Sequence, residues 1–134
     1  METNDKYLNL ITGLKSSNIT SNIASLNTSS ELIETYLNQV KAAISDVSKR
    51  NVDRSIEIVK QTKGQTNPDE LINLYIKFGD TFKSILPDLK KENVENLNKI
   101  VIQYLNVAKQ TKDTRIKNIA VAIAKEELGS QNEN

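Results

Sequence analysis

Asn67-Pro68-Asp69-Glu70 opens the stretch NPDELINLYIKFGDTFKSILP, residues 67–87, and its reading decides the fold class. Asn67 suits a helix N-cap and Pro68 the first helical position, where a missing N–H costs nothing. Asp69 and Glu70 place negative charge against the positive end of the helix dipole. Leu71, Tyr75, Phe78, Phe82 and Ile85 then recur at the helical period and form one apolar stripe. Pro87 clashes with a continuing helix, so the spacing predicts that this helix ends at Leu86.

The same pattern extends in both directions. Upstream, Thr28 and Glu31 stand at capping-box spacing, and Leu32, Ile33, Tyr36, Leu37, Val40, Ala43, Ile44 and Val47 follow on one stripe. Asn51 to Lys63 carries Val52, Ile56 and Val59 and stops at Gly64, a good left-handed C-terminal residue. Downstream, a helix is expected from about Asn93 to Gln110, with Val94, Leu97, Val101, Tyr104, Leu105 and Ala108 on one side. A last helix, from about Thr114 to Leu128, carries Ile116, Ile119, Ala120 and Ile123 and is expected to end at Gly129. Residues 1–30 read as a weaker N-terminal segment. There Tyr7, Leu8, Ile11 and Leu14 make one short amphipathic helix, while 16–30 is uncharged and rich in Ser, Thr and Asn, which favour caps over helix interiors; Ile19, Ile23 and Leu26 keep helical spacing, so a poorly stabilised second helix is preferred there to a linker. No sustained alternation or hairpin turn signals a strand.

The expectation is therefore an all-α single domain, a helical bundle of five or six helices over residues 1–134. Internal matches suggest a duplication. Glu31 to Leu37 (ELIETYL) resembles Glu70 to Ile76 (ELINLYI), Asn51-Val52-Asp53 resembles Asn93-Val94-Glu95, and Lys60-Gln61-Thr62-Lys63 recurs as Lys109-Gln110-Thr111-Lys112. In that reading, 30–63 and 68–112 form two similar helical hairpins and 113–129 a C-terminal helix capping them.

Composition bounds the chemistry. The 134 residues include 18 Lys and Arg against 17 Asp and Glu, a net charge of +1, with no Cys, His or Trp. A chain of this length can hide roughly two-thirds of its unfolded surface in one core. Without His or Cys, nucleophilic triads, most structural zinc sites and haem ligation are closed. No GxxxxGK[ST] or GxGxxG phosphate loop occurs. The acidic sets Glu31/Glu34 and Glu126/Glu127 lack the Asp-rich loop of a calcium site. No catalytic residue, metal or cofactor is expected. Met1 to Leu10 has no basic end followed by an apolar run, and the longest apolar run, Ile119 to Ala124, is six residues, against roughly 20 for a membrane helix. A cytoplasmic protein without a membrane partner is the expectation.

Two surfaces stand out. Lys60, Lys63, Lys109 and Lys112, with Arg115, bring positive charge to the ends of two helices, where lysines suit either phosphate contact or simple solvation of the helix dipole. Val121 and Leu128 fall off the main stripe of the last helix, so that helix either sits centrally or presents a face to a partner. The function expected from these features is a non-catalytic protein-interaction module or assembly subunit, acting on a protein partner or by self-association. The alternative is a small helical subunit lying on RNA or DNA backbone through its lysine-bearing helix ends.

Overall fold

The structure is a computed structural model that describes residues 23–132 together with Asn9 and Thr12. Within residues 23–132, five helices follow one another: α1 (Ile23–Lys41), α2 (Asp46–Thr62), α3 (Pro68–Lys91), α4 (Leu97–Lys109) and α5 (Thr114–Asn132). Among the described residues there is no strand. Apart from Asn9 and Thr12, the short helix expected over Tyr7 to Leu14 lies outside the described residues, as does the end of the tail.

Short loops of four or five residues reverse the chain between helices, so sequential helices run antiparallel. Their packing closes a cycle in the order α1, α2, α3, α5, α4, with α4 returning to α1. One contiguous core fills the middle, built from side chains such as Leu26, Leu37, Val59, Phe82 and Val101. Phe78 stacks on Phe82 with ring centroids 5.8 Å apart, and Tyr104 leans on Phe78 at 5.9 Å.

Local signals explain most starts and stops. The Asn67 side chain accepts the Asp69 N–H at 2.9 Å and the Glu70 N–H at 3.4 Å, the cap read from the sequence. Asp113 does the same for α5, accepting the Arg115 N–H at 2.8 Å and the Ile116 N–H at 3.3 Å. Gly64, with φ +75°, stands just past the end of α2, where a left-handed residue lets the chain turn.

Boundaries differ from the sequence expectation in five places, four of them for a reason that the structure shows. First, α1 begins at Ile23, five residues before the expected cap. Thr28 is interior, and its hydroxyl donates back to the Ala24 carbonyl at 3.0 Å instead of closing a capping box. Ser29 and Ser30, expected in a poorly stabilised segment, are buried. Second, the stripe drawn through Val47 joins two helices. α1 ends at Lys41, Ile44 is buried in the turn, and Ser45 caps a new helix whose second residue, Val47, is 67% exposed. Third, Pro87 does not end α3, which runs on to Lys91. Proline removes only the bond to the Lys83 carbonyl, and both residues are exposed, so the loss falls on the solvent side of the helix, where it costs least. One further turn buries Leu89 beside Leu86. Fourth, α4 starts at Leu97 rather than near Asn93. Asn93 and Asn96 take left-handed φ of 57° and 74°, a conformation Asn tolerates, and the loop they make tucks Val94 against the core. At the far end, α5 passes through Gly129, whose φ is not left-handed, to Asn132.

These boundaries give the matched segments different surroundings. ELIETYL lies inside α1, whereas ELINLYI opens α3. Asn51-Val52-Asp53 is helical in α2, while Asn93-Val94-Glu95 is loop. The arms of the first hairpin, α1 and α2, pack together along their length; α3 and α4 instead each pack on α5.

The point where α3, α4 and α5 meet depends on a missing side chain. A Cβ on Gly79 would sit 2.6 Å from Tyr104 Cζ and 2.7 Å from Ile119 Cγ2, so glycine is what lets the Tyr104 ring lie against the α3 backbone. There the Tyr104 hydroxyl donates to the Tyr75 carbonyl at 2.8 Å.

Candidate functional site

The antiparallel course brings the end of α2, the start of α3, the end of α4 and the start of α5 to one end of the bundle. All five basic candidates therefore collect there. Lys60 and Lys112 are exposed. Lys63 is ion-paired with Glu34 of α1. Arg115 grips Asp113 through two hydrogen bonds, Nη2 to Oδ2 at 2.8 Å and Nε to Oδ1 at 3.2 Å. These bonds hold the Asp113 carboxyl below its ordinary range, helped by the two backbone N–H groups it caps, and raise the Arg115 guanidinium. Lys109 is exposed and also engaged. A shallow cleft of about 420 Å³ lies beside them, lined by Asp69, Asn73, Thr111, Lys112, Asp113 and Arg115. Charges of both signs are interleaved at this end, which weakens any field that would gather polyanions.

Val121 is half-buried and packed against the core. The two apolar sides of α5 answer to its two neighbours, α3 and α4. The backbone of Leu128 lies within α5, and its side chain lies outside the described residues. The acidic sets are separated too. Glu34 pairs with Lys63 and Glu126 with Lys90, while burial raises the half-buried Glu127 carboxyl. Among the described residues no group of three or more acidic side chains is placed to hold a metal ion.

The sequence reading missed the outer face of α2. Val47, Arg50 and Arg54 are all exposed and fall within about 60° of one another at 100° per residue, a stripe two turns long. Val47 is the large hydrophobic side chain that the described surface leaves open. Among the described residues, Arg50 and Arg54 have no ion-pair partner, whereas Lys41 pairs with Asp53 at 2.6 Å and Lys49 with Asp46 at 3.6 Å. The signal that finds this face is Ser45-Asp46, a capping residue and a first-turn acid hidden within an unbroken apolar spacing. Glu92, from the loop after α3, fixes the start of the same helix by accepting the Ser45 N–H at 2.8 Å. Hydrogen bonds from Ser48 and Ser45 hold the Glu92 carboxyl below its usual range. The stripe is thus mounted on a helix start tied to the rest of the bundle.

A second surface feature is a groove of about 460 Å³ between the first half of α1 and the last half of α4. Ala24, Thr28 and Leu32 form one wall and Gln103, Asn106 and Gln110 the other. Among the described residues, no charged side chain lines it.

Inside the bundle, hydroxyls join three helices. Thr62 and Ser30 are hydrogen-bonded at 2.7 Å, Ser30 meets the Tyr75 hydroxyl at 2.5 Å, and Tyr75 reaches the Leu26 carbonyl. All three side chains are fully buried. Burial pushes the Tyr75 phenol up to about 12 and the Tyr104 phenol higher still, so both are neutral donors across the physiological range. This chemistry locks helices together and offers no reacting atom to solvent.

No helix among the described residues is long and apolar enough to cross a membrane. Compared with known proteins, the chain matches no family model, no curated protein and no solved structure.

Proposed function

We propose that this protein is a non-catalytic helical interaction module that docks a protein partner on the outer face of α2. The observation that carries the reading is the stripe Val47, Arg50 and Arg54, where an exposed apolar side chain is followed by two exposed arginines that have no ion-pair partner among the described residues. Burying Val47 against a partner removes apolar surface from water, and arginine is enriched among the residues that dominate interface energetics because its planar fork grips carboxylates bidentately. The partner that fits is a segment with a small apolar side chain beside carboxylates. The rigid start of α2 lowers the entropy cost of presenting these three groups together.

The test is affinity capture from extract of the native host with the wild-type chain and with a Val47→Asp, Arg50→Glu, Arg54→Glu variant. The variant should keep its circular dichroism spectrum and melting temperature, because all three side chains are exposed. A protein bound by the wild type should be retained about 30-fold less by the variant, equivalent to the roughly 2 kcal/mol of one interface hot spot. Equal retention would remove α2 from the account.

The runner-up reading is contact with RNA or DNA backbone, supported by Lys60, Lys63, Lys109 and Lys112 sharing one end of the bundle. Its distinguishing result in the same experiment is retained nucleic acid that a four-lysine-to-Gln variant loses, with a salt slope of about −3 to −4 in log affinity. The pairing of Lys63 with Glu34, and the acids Asp69, Glu70 and Asp113 at that end, favour the protein partner.

A further inference from the structure

We propose that the far end of α5, from Glu126 to Asn132, is a proton-operated latch: Glu127 draws it onto α3 and α4 when its carboxyl is protonated and loosens it when the carboxyl is ionised. Register comes first. Ile116, Ala120, Ile123 and Glu127 fall within about 60° of one another at 100° per residue, and the first three are buried in the core. α5 packs on α3 and α4, and this stripe is its inner side. A glutamate therefore stands where the spacing calls for one more apolar side chain.

The surroundings of that carboxyl do not suit a charge. Glu127 is half-buried, and its Oε2 is buried without a hydrogen-bond partner. A buried oxygen of an ionised carboxylate loses its hydration with nothing in exchange, whereas a neutral carboxyl gives up much less. Lys90 of α3 is the cation at hand, yet it is committed one residue earlier. Its ammonium donates to the Glu126 backbone carbonyl and pairs with the Glu126 carboxylate at 3.5 Å, so it fastens the helix just before Glu127 and leaves Oε2 unpaired. Only five helical residues follow, and a helix end with so few of its own contacts opens locally at little cost.

On Glu127, burial is the largest influence; Lys90 opposes it and Glu126 reinforces it, and the carboxyl is held above its ordinary range. The other charges near this end point elsewhere. Glu92, in the loop after α3, accepts the Ser45 N–H of α2, and Lys99 of α4 lies over the Tyr36 ring of α1. Lys91, Glu95 and Lys125 are exposed.

The direction of the switch follows from the sign of that shift. A detached, hydrated glutamate titrates at about 4.3. Below that value the carboxyl is protonated whether the helix end is docked or loose, and docking is at its strongest. As the pH rises through the docked value, the loose form is ionised and hydrated while the docked form must give up a proton at a buried site, so docking weakens towards neutral pH. Loss of the Lys90–Glu126 pair on acidification would act the opposite way, which makes the two groups separable.

The experiment uses the full chain and reads amide hydrogen exchange residue by residue between pH 7 and pH 4.5, as protection relative to the amides of α2. In the wild type, the amides of residues 127–132 should gain protection as the pH falls. Glu127→Gln keeps the shape of the side chain and cannot ionise, so it should hold the high protection at every pH. Glu126→Gln should keep the wild-type rise. A flat wild-type profile would overturn the proposal, as would a rise that survives Glu127→Gln or disappears in Glu126→Gln. Carbon NMR of the Glu127 carboxyl in the wild type tests the same point without any variant: a midpoint above about 4.3 is expected, and one at or below it would overturn the proposal.

Discussion

Gly79→Ala should destabilise the protein by about 2–4 kcal/mol, although the same change in an exposed helix stabilises by up to about 1 kcal/mol. The expectation follows from where α3 meets α4 and α5. A Cβ at 79 would overlap the Tyr104 ring at 2.6 Å and the Ile119 methyl at 2.7 Å, and the Tyr104 ring is not free to move, because it is 1% exposed and held by Phe78. Overpacking of this kind costs about 1–3 kcal/mol. Displacing the ring also breaks the hydrogen bond from Tyr104 to the Tyr75 carbonyl and strands a buried hydroxyl, at a further 1–3 kcal/mol or so. Against a total stability of roughly 5–15 kcal/mol, the loss should appear as a large fall in the urea midpoint. A neutral or stabilising result would mean that Tyr104 does not lie on the α3 backbone.

Above pH 10 the stability should fall steeply, and Tyr75→Phe should make that fall shallower. Tyr75 and Tyr104 are protonated in the folded protein, with burial raising both, Tyr75 to about 12. An unfolded tyrosine titrates near 10. Below pH 10 both states keep their protons and the contribution is fully present. Between 10 and the folded value the unfolded state alone releases its proton, so each tyrosine costs about 1.4 kcal/mol per pH unit. For Tyr75 that reaches about 2.7 kcal/mol by pH 12, on the order of a quarter of a typical domain stability. Denaturant unfolding at pH 10, 11 and 12 reads this slope. The Phe variant should start less stable, because the Ser30 and Leu26 groups lose their partner, and then lose stability more slowly by about 1.4 kcal/mol per unit. An unchanged slope would place the Tyr75 hydroxyl in water.

Which parts of this architecture were legible in advance depends on how local their causes are. The Asn67 cap is satisfied by N–H groups two and three residues away, so the sequence carries everything needed to predict it. Gly64 is similar. Thr28 misleads because its spacing to Glu31 is also what an interior Thr presents when its hydroxyl bonds back one turn; what extends α1 to Ile23 is the burial of Leu26, Ser29 and Ser30 against residues distant in the chain. Pro87 misleads because its local clash is outweighed by the core contact of Leu89. The candidate surfaces follow the same rule. Charges on Lys63 and Arg115 were visible, but the partner of Lys63 comes from another helix. Val47 was assigned to a buried stripe because an apolar spacing continues unbroken through the turn at 42–45, and only the tertiary course of the chain turns that side chain outward.

The central claim is that α5 stands between α3 and α4, closing the cycle and leaving the outer face of α2 without a partner helix among the described residues. The direct test is a nuclear Overhauser spectrum with assigned Gly79, Tyr104 and Ile119. The account predicts strong cross-peaks from the Tyr104 ring protons both to the Gly79 α protons and to the Ile119 methyl groups. Absence of those peaks, with backbone-to-backbone contacts running the length of α3 and α4 instead, would contradict it.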